Sequence, residues 1–396
     1  MKNPRLKNKR VLLGVSGGIA AYKSVELVRR LTDSGASVSV VMTEAALRFV
    51  TPLTFEAVSR SKVHSSLFEE PLVHIQLPAE ADLLIVAPAT ANSIGKFANG
   101  IADDLLSTCF LSCAGKKLIA PAMNWRMYEN PAVQENLSRL ASRGVLQVGP
   151  ERGSLACGEE GAGRMAAVQE IIESARAALS KKDFAGERFV VTAGPTREYL
   201  DPVRFISNRS SGKMGYALAR AARDRGARVT LVSGPTALPR PGGMMNFIAV
   251  EDSAGMLDAV QREVAEGATV LIMAAAVADF APAGKSSEKQ EKTPELTLEL
   301  KATPDIISAV SGASRRPFII GFAAETGPHI GRAAEKMKKK CMDMIVFNDV
   351  TEPGAGFDTD TNKVVILGGN RETQVELMDK DDVAHAVLDR LFEMKT

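Results

Sequence analysis

The sequence predicts an α/β protein made of two doubly wound, parallel-sheet domains in tandem. Three observations carry this. Short apolar runs alternate with helical patterns along nearly the whole chain, as parallel strands covered by helices on both faces require. At 396 residues the chain exceeds one typical domain, and two of about 150–200 residues is the natural division. A strand–glycine–helix start at 11–23 recurs at 188–216, so a second nucleotide-type fold begins halfway along.

In the first half, strands are expected at 10–15, 37–42, 83–87, 117–120 and 145–148, and helices at 20–33, 102–113 and 131–143. The opening apolar run, Val11-Leu12-Leu13-Gly14-Val15, is too short for a signal-peptide core or a membrane span and reads as a first strand. Residues 149–164 are glycine-rich and without periodicity, which predicts a loop, and a helix follows at 168–179. At Ser180-Lys181-Lys182-Asp183 charge replaces hydrophobic periodicity, which places the division between domains of 1–183 and 184–396. The second half repeats the alternation, with strands at 188–192, 228–232, 270–274, 318–321 and 344–347 and helices at 216–224, 254–265, 304–310 and 330–340. A strand at 363–367 near a hairpin and a helix at 382–392 close it. Residues 280–293 resist the pattern, and their lysines and glutamates read as a solvated loop.

Composition excludes several classes. The chain is 45% hydrophobic and 24% charged, ordinary for a soluble globular protein. A net charge of +2 implies no nucleic-acid partner, so any phosphate must be held by local sites. No membrane partner is expected either. Cys109, Cys113, Cys157 and Cys341 have no metal or redox spacing, and they read as reduced thiols of a cytoplasmic protein.

In open parallel sheets ligands collect at the carboxyl ends of the strands. Those ends carry Ser16-Gly17-Gly18, Thr43-Glu44, Pro88-Ala89-Thr90-Ala91-Asn92 and Pro121-Ala122-Met123-Asn124. The glycine turn serves either as turn geometry or as a phosphate cradle. Thr43 can be a helix cap, and Thr90 and Asn92 strand terminators. Together these loops line one sheet edge with hydroxyls, amides and backbone N–H groups, which suit a mononucleotide phosphate and an aromatic ring system. Asn124 is either a turn residue or an amide donor to a carboxylate. His74, in an apolar run, is either a satisfied core histidine or a neutral-pH base. Cys109, Cys113 and Cys341 look like small buried hydrophobes, whereas Cys157 lies among glycines and charges, as in a lid. In the second half the glycine-bearing loop before residue 216 meets the general recipe for an anion site at a helix start. It is not a Walker A loop, since Ser207 and Met214 stand where a glycine and a Ser or Thr are needed.

These residues bring the sequence to a family. Ser-Gly-Gly-Ile-Ala-Ala-Tyr-Lys at 16–23, His74, Pro-Ala-Met-Asn at 121–124 and Ala-Cys-Gly-x-x-Gly-x-Gly-Arg-Met at 156–165 resemble the homo-oligomeric flavin-containing cysteine decarboxylases. The 192–215 stretch, with Ile206-Ser207-Asn208-Arg209-Ser210-Ser211-Gly212-Lys213-Met214-Gly215, resembles the phosphopantothenate–cysteine ligases. In this order on one chain, the two resemble the bifunctional coenzyme A biosynthesis proteins of bacteria. The resemblance implies a flavodoxin-like or Rossmann-like flavoprotein domain followed by a Rossmann-like ligase domain. It implies CTP-dependent joining of 4'-phosphopantothenate to cysteine through an acyl-cytidylate, with Mg2+. FMN-dependent decarboxylation to 4'-phosphopantetheine then follows.

Residue by residue, the resemblance assigns Ser16, Gly17, Gly18, Thr43, Pro88, Thr90 and Asn92 to FMN. It gives Asn124, beside Met123, the substrate carboxylate, His74 an acid/base role, Cys157 the final proton donation, and Arg164 an anionic part of the substrate. In the second half Asn208 handles the acyl intermediate. Ala274, Ala275, Asp279, Lys289, Pro304, Asp305, Ile306, Ile307, Phe322, Lys336 and Lys340 fall to substrate and nucleotide. Lys336 and Lys340 are four apart, on one helical face, though a basic solvated helix gives the same pattern. Two departures stand out. Tyr128 replaces the tryptophan that usually ends the Asn124 motif. Lys289-Gln290-Glu291-Lys292 replaces the family's Lys-x-Lys-Lys, leaving Lys289 the first candidate and Lys292 the lesser one. A homo-oligomer with trimeric flavoprotein contacts and dimeric ligase contacts, up to a dodecamer, is expected. The rivals are a flavin prenyltransferase first half and a flavin-bearing regulatory subunit. The paired Pro-Ala-Met-Asn and Ala-Cys-Gly motifs oppose the former, and the presence of His74, Asn124 and Cys157 opposes the latter.

Overall fold

The buried apolar runs form two large sheets, one parallel and one mixed, one in each of two units, Met1–Ser180 and Lys181–Thr396. The computed structural model describes residues 6–396 apart from 69, 155–157, 241–244, 290, 292–293, 313–314 and 370.

The first unit runs β1 (Arg10–Val15), α1 (Ala21–Asp33), β2 (Ser37–Met42), α2 (Pro52–Ser59), β3 (Val63–His64), α3 (Val73–Glu80), β4 (Leu83–Ala89), α4 (Ala91–Asn99), α5 (Leu105–Ser112), β5 (Lys116–Pro121), α6 (Trp125–Tyr128), α7 (Pro131–Ser142), β6 (Leu146–Gln147), β7 (Glu151–Ser154), β8 (Glu160–Arg164) and α8 (Val168–Leu179). The sheet order is β3-β2-β1-β4-β5-β6, with every pairing parallel. All seven residues of β4 are buried, because helices cover both faces. Successive residues alternate between two cores: Leu13 and Ile85 pack with α1 and α8, and Leu12 and Leu84 pack with α4, α5 and α7. The α1 helix buries Ala21, Ser24, Leu27, Val28 and Leu31, the three- and four-residue spacing that turns one face inward.

The second unit runs β9 (Arg188–Ala193), β10 (Arg197–Tyr199), β11 (Phe205–Ser207), α9 (Lys213–Asp224), β12 (Arg228–Ser233), β13 (Asn246–Ala249), α10 (Ser253–Ala265), β14 (Val270–Met273), β15 (Phe280–Pro282), β16 (Leu300–Ala302), α11 (Ile306–Ser311), β17 (Phe318–Glu325), α12 (Ile330–Lys339), β18 (Met344–Asp349), β19 (Thr361–Gly368), β20 (Arg371–Asp379) and α13 (Lys380–Lys395). Its sheet order is β13-β12-β9-β14-β17-β18-β19-β20. The first six of these strands pair in parallel and repeat the winding of the first unit. The last two form an antiparallel hairpin at the edge. Each sheet therefore reverses its strand order once, between β1 and β4 and between β9 and β14, where doubly wound folds open a crevice.

Three expectations change: Cys341, expected as a small buried hydrophobe, is exposed, and two segments expected as loops contain strand. The apolar run around His74, for which no element was expected, is a helix, α3, entered through Leu72 at φ 62 and containing Pro78. The segment 149–164, expected as a loop, contains an antiparallel ribbon, β7 with β8. The start of the charged 280–293 segment is likewise strand, β15 paired with β16. Glycines weaken the period-2 signal of β8, and β15 is only three residues long, so neither shows an alternation to read.

Candidate functional site

Each crevice holds a cavity, about 1000 Å³ in the first unit and about 580 Å³ in the second. Both lie at the carboxyl ends of the parallel strands.

In the first, Ser16 is the tie beneath the floor. Its buried hydroxyl donates to Pro88 O at 2.7 Å and accepts from Thr90 N at 3.0 Å, fastening the ends of β1 and β4 together. Ser16 and Pro88 thus support the cavity, while Gly17, Gly18, Thr43, Thr90 and Asn92 line it. A Cβ on Gly17 would lie 2.4 Å from Ala45 Cβ, so the turn after β2 closes onto it only because it is glycine. Thr90 caps α4, accepting from Ser93 N at 3.4 Å. The first residues of that helix, Ala91 to Ser93, line the cavity, where a helix start leaves N–H groups without partners in the helix.

Asn124 caps α6 through its Oδ1, 2.9 Å from Arg126 N. Its Nδ2 donates to Glu159 Oε2 at 3.4 Å, and the same carboxylate accepts from Trp125 Nε1 and Arg126, each at 2.9 Å. A carboxylate thus already lies against the amide that sequence reasoning reserved for one. β8 presses on this loop through two glycines. A Cβ on Gly161 would meet Trp125 Cβ at 2.5 Å, and one on Gly163 would meet Met123 O at 2.1 Å. Met123, Asn124 and Arg164 line the same cavity.

Lys23, on α1, also lines it, and burial followed by the neighbouring Arg164 charge pulls its ammonium below the usual lysine range. Lys96 closes the far wall, 2.7 Å from both Asp103 and Asp104. These two carboxylates outweigh the cost of burial and raise its pKa. Sequence reasoning missed Lys96, whose only signal was a position in the helix after the Thr90 loop. His74 is not in this lining. It is half-buried on α3, its carbonyl accepts from Ser112 Oγ of α5 at 2.9 Å, and its Nδ1 is buried without a hydrogen-bond partner among the described residues. Cys157 lies outside the described residues.

In the second cavity the segment after β14 is fixed from three sides. Thr192 Oγ1 accepts from Ala275 N at 3.1 Å, Thr196 Oγ1 accepts from Ala278 N at 3.0 Å, and Thr303 Oγ1 donates to Ala278 O at 2.6 Å. Asn208 reaches the same segment, donating from Nδ2 to Val277 O at 2.9 Å. The start of α9 is seated against the end of β9, since a Cβ on Gly215 would lie 2.5 Å from Ala193 Cβ. Asn208, Ala274, Ala275, Asp279, Pro304, Asp305, Ile306, Ile307, Phe322, Lys336 and Lys340 all line the one cavity. Asp305 caps α11 and pairs with Lys340 Nζ at 3.0 Å. Burial pushes its carboxyl up, but Lys340 and Ser308 outweigh this and hold it below the usual carboxylate range. Lys289 is exposed and not in the lining, and Lys292 lies outside the described residues. Lys213, Asn348, Phe357, Asn362 and Lys380 line the cavity as well. Of these only Lys213 belonged to a motif.

Among the described residues, no three His, Cys, Asp or Glu side chains gather as a metal site, and no helix is long and apolar enough to cross a membrane.

Comparison with known proteins agrees with this division. The Flavoprotein family model matches residues 2–180, and that of the DNA/pantothenate metabolism flavoprotein C-terminal domain matches 184–394. The chain is 46% identical over 397 residues to the coenzyme A biosynthesis bifunctional protein CoaBC of Bacillus subtilis, covering 98% of this chain and 97% of the relative. Its counterpart in Escherichia coli K12 is 45% identical over 399 residues, with the same coverage. Among solved structures, the C-terminal domain of a CoaBC is 37% identical, spanning 54% of this chain and 98% of that one at a TM-score of 0.47. A PPC decarboxylase mutant complexed with pantothenoylaminoethenethiol is 32% identical, spanning 43% and 97% at 0.39.

Proposed function

The chain belongs to the family of bifunctional coenzyme A biosynthesis proteins, and from that premise we propose how its two cavities divide the work. It is a coenzyme A biosynthesis enzyme with a flavoprotein decarboxylase half and a ligase half. We assign phosphopantothenoylcysteine decarboxylation to the cavity of the first unit. Ligation of phosphopantothenate to cysteine, with CTP, falls to that of the second.

FMN fits the first cavity. The space is at the large end of small-molecule sites, about 300–1,000 Å³, the Gly17 cradle leaves no room for a side chain, and the α4 start supplies donors at its edge. When bound, the flavin supplies hydride acceptance from the substrate and hydride return. The chain's own residues do the rest. Asn124 holds the departing carboxylate, and the Glu159 contact at 3.4 Å is the observation that carries this reading. Arg164 and Lys23 offer positive charge to the anionic end of the substrate. Cys157 delivers the last proton, because a thiol is the acid of suitable strength near neutral pH.

In the second unit, activating a carboxylate on a nucleotide gathers negative charge that needs cations. Lys336 and Lys340 line the cavity for that purpose, and Asp305 holds Lys340 until a polyphosphate competes for it. Mg2+ fits as a companion of the nucleotide, since it is commonly bound by one or two carboxylates plus substrate phosphates. Among the described residues, Asp279 and Asp305 are the carboxylates that line the cavity. Asn208 holds the acyl group.

His74 and Lys289 lie outside these linings. We place both at the sites of neighbouring copies in a cytoplasmic homo-oligomer. Near the first in sequence, Phe68, Leu72 and Ile75 are exposed, and near the second Phe280, Leu296, Leu298 and Leu300 are exposed.

The test is direct. The purified protein should carry flavin absorbance and convert phosphopantothenate, cysteine, CTP and Mg2+ into phosphopantetheine. Asn208→Ala or Lys289→Ala should abolish ligation while supplied phosphopantothenoylcysteine is still decarboxylated. Loss of decarboxylation in either variant with flavin still bound would overturn the assignment.

A further inference from the structure

Lys380 opens α13 and is buried. Its ammonium donates to three main-chain carbonyls: Gly356 O at 3.2 Å, Phe357 O at 3.2 Å and Thr359 O at 2.6 Å. Desolvating a cation is costly unless its protons are satisfied, and here carbonyl dipoles satisfy them. The acceptors belong to residues 354–360, an irregular segment between β18 and β19 that gives Gly356 and Phe357 to the wall of the ligation cavity.

The 208–213 motif also grips this segment. Ser211 Oγ donates to Phe357 O at 2.6 Å, Arg209 pairs with Asp358 at 2.5 Å, and Lys213 reaches Asp358 O at 3.0 Å and Asp360 at 2.7 Å. Arg209 and Asp358 are 76% and 57% exposed, and Asp360 is 85% exposed, so water screens those pairs and they hold little. Lys380 is buried, so its contacts are screened far less.

We infer that Lys380 is a positioning residue for ligation, holding the 354–360 segment in place as a wall of the substrate cavity. It acts through that segment. Among the described residues, Lys213 on α9 and Asp360 and Asp358 on the segment are the charges that act on it. Burial, and then the Lys213 charge, push its ammonium down to about 8 against the opposing pull of Asp360 and Asp358. The fully protonated anchor is present below that pH and lost above it, so ligation declines as pH rises through about 8.

The inference rests on assigning this cavity to ligation, so Asn208→Ala is run beside it. In the full-length protein, ligation is followed by pyrophosphate release from phosphopantothenate, cysteine, CTP and Mg2+, with decarboxylation of supplied phosphopantothenoylcysteine as the internal control. Lys380→Met keeps the length and removes the donors. It should lower ligation kcat/KM by at least about tenfold, leave decarboxylation unchanged and abolish the alkaline decline. Lys380→Arg, which keeps charge and donors, should recover part of the loss. Ligation unchanged in Lys380→Met, an unchanged alkaline limb, or a loss that merely tracks a lowered unfolding midpoint would each overturn the role. If Asn208→Ala left ligation intact, the cavity assignment would fall first. If Asn208→Ala abolished ligation and Lys380→Met did not, only the role of Lys380 would fall.

Discussion

Gly163→Ala tests the first cavity without touching any group that reacts. Gly163 O accepts from Met123 N at 3.0 Å, so β8 and the Asn124 loop are already at hydrogen-bonding distance. The new Cβ would sit 2.1 Å from Met123 O, and real Cβ contacts essentially never fall below 3.0 Å. The two segments must therefore separate by roughly 0.9 Å, and a misplacement near 1 Å costs about 100-fold in rate. That corresponds to about 2.7 kcal/mol of barrier. The backbone of Gly163 is not left-handed, so the effect is one of space alone. Decarboxylation of supplied phosphopantothenoylcysteine is the assay, with flavin absorbance and ligation as controls that should hold. Gly153→Ala, in the same ribbon but with nothing within 4 Å of its Cβ, should decarboxylate normally. A Gly163→Ala enzyme working at the wild-type rate would show that the ribbon does not position Asn124.

Cys157→Ser should still oxidise and decarboxylate the substrate, then stall with an enethiol product detectable by mass spectrometry, because a hydroxyl is a far weaker acid than a thiol. Ordinary aminothiol product at the wild-type rate would remove Cys157 from the mechanism. Asn124→Asp should fail earlier, since a second carboxylate repels the one about to leave, and no carbon dioxide should be released. Mixing refolded His74→Ala and Asn124→Ala chains should restore part of the decarboxylation if a site draws on two copies. No recovery in demonstrably mixed oligomers would place His74 in its own chain's site.

The repeated winding was legible because each parallel strand is buried on both faces and so reads as a continuous apolar run. The 80s stretch, buried along the whole of β4, needed no further signal. The glycine-bearing loops were legible for a related reason: close approach leaves room only for glycine, as at Gly17 and Gly215. What stayed hidden was structure held by long-range contacts. α3 begins at a left-handed Leu72 and carries a proline, so local propensity argues against it, and packing against α5 decides. The β7–β8 ribbon has glycines where alternation would be read, and two of them, Gly161 and Gly163, let it press on Trp125 and Met123.

The same distinction separates the site residues that sequence reasoning found from those it missed. Asn124, Asn208 and Asp305 stand beside strand ends, inside motifs whose spacing reflects the chain's own turns. Lys96 and Lys380 meet their cavities only after folding, and each is held by partners distant from any motif: Lys96 by the Asp103–Asp104 pair, Lys380 by carbonyls 21 to 24 residues back along the chain. A lysine in a helix ordinarily signals solvent. Only burial, with every ammonium proton assigned to an acceptor, distinguishes an anchoring lysine from a surface one. His74 and Lys289 present the opposite case, since their motifs were legible while their own cavities exclude them. Both have exposed apolar side chains near them in the sequence, and where such side chains form a patch they mark a surface that something covers. A second copy would cover the patch and bring the missing side chain to a cavity in one step, which is why the mixing experiment probes assembly and catalysis together.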